Sequence, residues 1–109
     1  MTVKELIDAA DLSPIALPDP EREINGAYVG DLLSWVMGRA SGDNAWITIM
    51  SNSNIVAVAT LADVSCIILA EGVSPDEGVK ETAMARGINL LSSSESAYEI
   101  AKKLVSLNI

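Results

Sequence analysis

Three short runs, "AWITIM" (45–50), "VSCIILA" (64–70) and "INLLS" (88–92), are apolar at almost every position. A strand with one wet face alternates apolar and polar residues, whereas a continuously apolar strand belongs in a sheet covered on both faces, as parallel sheets are. Parallel neighbours need a crossover of a dozen or so residues, usually a helix, and the segments between the runs are long enough to supply one. The runs therefore predict an α/β fold with a mainly parallel sheet. Residues 46 to 50, 65 to 70 and 88 to 91 are its parallel neighbours, crossover helices cover it in a three-layer-like arrangement, and a less regular segment lies toward the N-terminus. At 109 residues, half of them apolar and a fifth charged, the chain suits a single domain spanning 1–109.

The helices are read from caps and spacing. Thr2 and Glu5 have capping-box spacing, and Val3, Leu6, Ile7 and Ala10 share one helical face. The stretch "SPIALPDPEREINGAYVGD" holds three prolines and "NG", so it is not helical, although Ile15 to Leu17 and Ala27 to Val29 suit short strands. Asp31 reads as the N-cap of a second helix with Leu33, Val36, Met37 and Ala40 inward, ended by Gly42. In "SPDEGVKETAMARG", Ser74 reads as N-cap, Pro75 as first helical residue, Glu77 as capping-box partner and Gly87 as terminator. Ala97, Ile100, Ala101 and Leu104 define a closing helix, with Lys102 and Lys103 placed late, where they suit its dipole. The stretch "NIVAVATLAD" fits both periods. Its β-branched residues suit a strand, but a helix over 54 to 61 makes a second right-handed crossover from "AWITIM" to "VSCIILA", so helix is expected.

Composition removes much chemistry. Fifteen acidic against seven basic residues give a net charge of −8, which opposes binding to nucleic acid and to anionic membranes. The chain has no histidine, so imidazole metal sites and histidine-based catalysis are excluded. No GK[ST] phosphate loop and no dinucleotide glycine fingerprint occur. No metal and no cofactor are implied: "DPERE" (Asp19 to Glu23) reads as a solvated loop and "PDEG" (Pro75 to Gly78) as a helix start. The single Cys66 sits in an apolar run and reads as a buried small hydrophobe. No apolar run reaches the length of about 20 residues that a membrane span needs, and the N-terminus is unlike a signal peptide, so a reducing cytoplasm is the expected location.

In an open parallel sheet the binding crevice lies beyond the carboxyl ends of the strands. Three loops fit that description: Ser51 to Asn54, Glu71 to Ser74 and Ser92 to Ser94. Each precedes an expected helix whose first amides can hold an anion. Ser51, Asn52, Ser53, Asn54, Gly72, Ser92 and Ser93 are the candidate ligand-binding residues, although Ser and Asn are also ordinary caps and loop formers. A second candidate surface is the helix after Asp31, where Leu32 and Trp35 widen the apolar arc beyond what one small core needs and mark a homodimer interface.

The stretches "GAYVGDLLSWVM", "WITIMSNSNIVAVATLADVSCIILAEGVSPDEGV" and "ARGINLLSSSESAYEIAKKL" resemble a stand-alone DRTGG domain. Where the family motif places charged and glycine residues before the crossover helix, this chain has Ser51 to Asn54. The family resembles the N-terminal, non-catalytic domain of HPr kinase/phosphorylase, and it accompanies CBS pairs in some pyrophosphatases. The resemblance implies an α/β fold and a non-catalytic regulatory module, homodimeric, sensing a small anionic or nucleotide ligand. Short forms beside hydrogenase genes imply a partner such as a hydrogenase-associated complex in anaerobic energy metabolism. Two alternatives stand beside this reading: a small-molecule enzyme using the serine-rich crevice, and a purely structural subunit of a larger complex.

Overall fold

The three apolar runs form β3 (Asn44–Thr48), β4 (Cys66–Leu69) and β5 (Leu90–Ser92), paired in parallel as expected. The structure, a computed structural model, describes residues 1–109. Register places Trp46 beside Ile67, Ile47 beside Ile68, and Ile68 beside Leu91. Two short strands from the proline-rich region complete the sheet. β2 (Gly26–Val29) runs parallel to β3 on one edge, and β1 (Ser13–Ala16) lies antiparallel to β5 on the other, with an irregularity between Pro14 and Ala16. The order is β1-β5-β4-β3-β2.

Successive strand residues point to opposite faces, and each face has its own core. Trp46, Ile67, Leu69 and Leu90 meet α2 (Leu33–Arg39), α3 (Asn54–Ala62) and α4 (Val79–Arg86) through Val36, Ile55, Val56, Ala59, Val79 and Ala83. Ala45, Ile47, Cys66, Ile68 and Leu91 meet α1 (Val3–Ala10) and α5 (Ala97–Ser106) through Val3, Leu6, Ala10, Ile100 and Leu104. The product is a three-layer α/β domain in which β1 and α1 are built into the same sheet and core as the rest.

The stretch "NIVAVATLAD" is helix α3, ended by Asp63 in the left-handed region. Its apolar residues divide between the sheet and the adjacent helices, which the strand-like propensity does not foresee. In α1 both halves of the capping box form: Glu5 N donates to Thr2 Oγ1 at 3.2 Å, and Thr2 N donates to Glu5 Oε1 at 2.9 Å.

Three expectations are corrected. Asp31 does not cap α2; the N-cap position is Leu32, without a side-chain bond, because the Asp31 carboxylate is engaged at the end of β3. Met37 is exposed rather than inward, since the seven-residue α2 turns only Leu33, Val36 and Ala40 toward the core. α4 begins at Val79, not at Pro75, because Gly78 adopts φ +87, a left-handed conformation that interrupts the helical path. The segment 19–23 is a solvated loop as expected, with Asp19, Glu21 and Glu23 exposed, and it is pinned by its backbone: Asn89, 1% exposed, bonds both the N–H and the C=O of Asp19, and Ser65 Oγ donates to the Glu23 carbonyl.

Candidate functional site

The carboxyl ends of β2, β3, β4 and β5 open into loops 30–32, 49–53, 70–78 and 93–96, and hydrogen bonds join them into one rim. Asp31 Oδ1 accepts from Thr48 Oγ1 at 2.8 Å and from the Ile49 N–H at 2.9 Å, tying the first loop to the second. Ser51 Oγ donates to Asp76 Oδ1 at 2.9 Å, and the Asp76 N–H donates to the Ser51 carbonyl at 2.9 Å, tying the second to the third. The Gly72 N–H donates to the Ser93 carbonyl at 2.9 Å and the Glu71 N–H to the Glu95 carbonyl at 2.8 Å, tying the third to the fourth. Asp31, Asp76 and Glu95 were not among the residues expected at the site. Asp31 reads as a cap and Asp76 as the first turn of a helix, because local spacing carries no information on a partner 17 or 25 residues away.

Topology separates the candidate residues into two groups. α3 and α4 lie on the same face of the sheet, whereas α5 lies on the opposite one, so adjacent strands β4 and β5 send their chains to opposite faces. Such a divergence is where an open α/β sheet places a crevice, but here backbone hydrogen bonds bridge it and no pocket opens. Gly72, Ser92 and Ser93 stand at this point, and the two backbone bonds from Glu71 and Gly72 cross it. Glu71 and Gly72 both have positive φ, 62° and 69°, which turns the chain sharply enough to make those bonds. Ser51 to Asn54 belong to the neighbouring loop and are tied to loop 70–78 only through Ser51 and Asp76.

The helix amides nearest the rim are largely engaged within the chain. Asn52 Oδ1 accepts from the Asn54 N–H at 2.9 Å, and the Ile55 and Val56 N–H groups donate to the Asn52 and Ser53 carbonyls. Ser93 Oγ accepts from the Glu95 N–H, and Ser96 caps α5 through the Glu99 N–H. The exposed Ser53 hydroxyl and Asn54 side chain make no hydrogen bond within the chain and face solvent. Acidic groups flank the rim at Asp31, Glu71, Asp76 and Glu77, while Lys103 pairs with Glu95 and donates to the Ala10 carbonyl at 3.1 Å.

No pocket indents the chain, and no group of His, Cys, Asp and Glu residues is arranged to hold a metal. Cys66 lies far from solvent in the α1/α5 core, and burial pushes its thiol up to about 12, which removes the thiolate nucleophile. No helix is long and apolar enough to cross a membrane.

A singly wound parallel sheet whose last helix switches faces, with a hydrogen-bonded loop rim over its carboxyl ends, defines an α/β module that presents loops rather than an enclosed catalytic cavity. The chain belongs to the DRTGG domain family, whose model matches residues 22–107. Among solved structures it is similar to the CBS and DRTGG domains of the regulatory region of Clostridium perfringens pyrophosphatase, crystallised with its activator, diadenosine tetraphosphate. The TM-score is 0.76 at 14% identity, covering 95% of this chain and 46% of that one, so this chain spans about half the length of that solved relative. No curated protein matches the sequence.

Proposed function

We propose that this chain is a non-catalytic regulatory module that senses a small nucleotide at the rim and passes its occupancy to a protein partner. The observation that carries the reading is the hydrogen-bonded rim over the carboxyl ends of the sheet, where the Gly72 N–H meets the Ser93 carbonyl and the Ser51 to Asn54 loop is tied in through Asp76. The rim is a mixed surface. Hydroxyl and amide donors at Ser53 and Asn54 suit phosphate oxygens, and the carboxylates of Asp31, Glu71 and Asp76 suit ribose hydroxyls or an exocyclic amine. The shallow rim fits a regulatory ligand held between this chain and another surface better than a buried substrate. The solved DRTGG relative, crystallised with a dinucleotide activator, supports a nucleotide as the ligand class. Resemblance to short forms beside hydrogenase genes points to a partner in anaerobic energy metabolism.

Thermal-shift measurements with ATP, ADP, diadenosine tetraphosphate, pyrophosphate and inorganic phosphate test the ligand. A rise in Tm with an adenine nucleotide is expected, reduced in Ser53→Glu, which adds negative charge at an exposed residue whose side chain makes no hydrogen bond within the chain. No shift with any of these probes overturns the nucleotide reading. Turnover of one of them, abolished by Ser51→Ala, overturns the non-catalytic one.

A further inference from the structure

We propose that the strap 73–77 is a lid on the rim, latched shut by Ser51 and Asp76, and that the latch selects a ligand bringing both hydrogen-bond donors and anionic oxygens, as a nucleotide does. The selectivity rests on the nucleotide reading; the lid stands without it.

Both ends of the strap are fixed, and both of its joints are glycine. On one side β4 runs into the fully buried Ala70, and the Glu71 and Gly72 amides are bonded to the Glu95 and Ser93 carbonyls. Glu95 is held in turn through its carboxylate by Lys103, which also grips the Ala10 carbonyl at the end of α1. On the other side Val79, 1% exposed, anchors the start of α4. Between these posts Gly72 and Gly78 have φ +69 and +87, and nothing lies within 4 Å of where a Cβ would stand, so each joint can turn without striking a neighbour. The strap itself has no helix or strand; Val73 and Pro75 are half-buried, and Ser74, Asp76 and Glu77 are exposed. Its ends carry local turn bonds, from the Val73 N–H to the Ala70 carbonyl at 3.2 Å and from the Val79 N–H to the Asp76 carbonyl at 3.1 Å. Its only hydrogen bonds to a distant part of the chain are the two between Asp76 and Ser51.

In the closed chain the two latch residues satisfy each other. The Ser51 hydroxyl is spent on the Asp76 carboxylate and the Ser51 carbonyl on the Asp76 N–H, and no pocket opens between them. Lifting the strap frees a donor, the hydroxyl, together with an acceptor, the carboxylate, and each needs a new partner. A nucleotide replaces both, with a phosphate oxygen for the hydroxyl and a ribose hydroxyl or base amine for the carboxylate. Inorganic pyrophosphate brings oxygens and added negative charge but no ribose or amine donor, and the strap has no basic residue to offset that charge. The latch therefore discriminates between the two ligands by what each can give Asp76.

Amide hydrogen exchange reads the lid with no ligand present. Ser51 is remote in sequence from the strap, so Ser51→Ala changes exchange there only by releasing the latch. The Val73, Asp76 and Val79 amides should each exchange about fivefold faster, by a common factor, because one opening breaks all three bonds. The Ala70 amide, bonded to the Thr48 carbonyl in the core, should keep its rate. An increase confined to Asp76, or none at all, overturns the lid. Calorimetric titration with ATP and with pyrophosphate reads the selectivity. The parent should prefer ATP; Asp76→Ala, which frees the Ser51 hydroxyl and removes the carboxylate, should lower that preference about fivefold. Glu77→Gln removes a strap charge without touching the latch and should leave the preference near the parent's. A preference unchanged in Asp76→Ala, or lowered as much in Glu77→Gln, overturns the latch as its source. If neither probe binds the parent, the nucleotide reading and the selectivity fall together, and exchange alone decides the lid.

Discussion

Asp31 shows how a single side chain sets the shape of the rim. It accepts from Thr48 Oγ1 and the Ile49 N–H, and Thr48 is only 2% exposed, so losing the carboxylate leaves a buried hydroxyl without its acceptor. Asp31→Ala is expected to cost about 1–2 kcal/mol, read by chemical denaturation. In the double variant with Thr48→Val the two costs should sum to less than their separate values, since the orphaned donor is then gone; full additivity would show that the two groups do not interact. Cys66 is the other residue with a sharp signature. Its thiol is raised from an ordinary value of 9.0 to about 12 by burial, so the folded state holds its proton where the unfolded chain releases it. Its contribution is fully present below pH 9.0 and falls by about 1.4 kcal/mol per pH unit up to about pH 12. Cys66→Ala should lack that component of the alkaline loss, and a thiol reagent should label the parent only as fast as the chain unfolds. The buried, inert cysteine was legible from its apolar run; the Asp31 contact was not, because an aspartate ahead of a helix signals a cap equally well.

Among the elements, those whose signals are local and mutually consistent follow the sequence. α1 has both halves of its capping box, and hydrogen bonds from the Thr2 backbone and then its hydroxyl hold the Glu5 carboxyl below its ordinary value. A lowered carboxyl stabilises the fold above its unfolded value and loses that contribution as pH falls through the folded one, so Glu5→Gln should flatten the acid limb of stability against pH. α3 was legible only through topology, since two parallel strands need a crossover whatever the propensity of the residues between them. α4 shows the opposite failure. Ser74, Pro75 and Glu77 spell a helix start, but the Asp76 backbone and carboxylate are bonded to Ser51, and Gly78 at φ +87 begins the helix anew. Gly78→Ala gives a test by sign. A left-handed alanine costs about 1–2 kcal/mol, so Tm should fall by several degrees; if the helix started at Pro75, alanine inside it would raise stability by up to about 1 kcal/mol.

Across the whole molecule, the two ends of the sheet were unequally legible. The carboxyl end was anticipated because loops before helices in a parallel sheet must gather there, although which of them flank the point of divergence depends on α5 crossing to the other face, and no residue of α5 announces that. The amino end carried no signal. Arg22 lies in an irregular acidic stretch, yet its Nη2 reaches Asp43 Oδ1 at 2.9 Å, Asp63 Oδ1 at 2.9 Å and the Asp63 carbonyl at 2.7 Å. Asp43 precedes β3 and Asp63 ends α3, both with positive φ, and the Asp43 N–H donates to the Asp63 carbonyl. One guanidinium thus joins the segment before β2 to the turns before β3 and β4, closing the end of the sheet opposite the rim. Burial opposes its charge, but the hydrogen bonds it donates to Asp63 and Asp43 outweigh that and raise its pKa above the ordinary value. The carboxylates are half or more exposed, so the ion pairs alone contribute modestly; the fork geometry matters more, because one planar group satisfies two carboxylates and a carbonyl together. Arg22→Lys keeps the charge but replaces the fork with a single ammonium. It should therefore cost about 1–2 kcal/mol, nearly as much as Arg22→Ala, and speed hydrogen exchange at the Asp43 amide while leaving the Gly72 amide at the rim unchanged. Full retention of stability in the lysine variant would show that charge alone holds this end together.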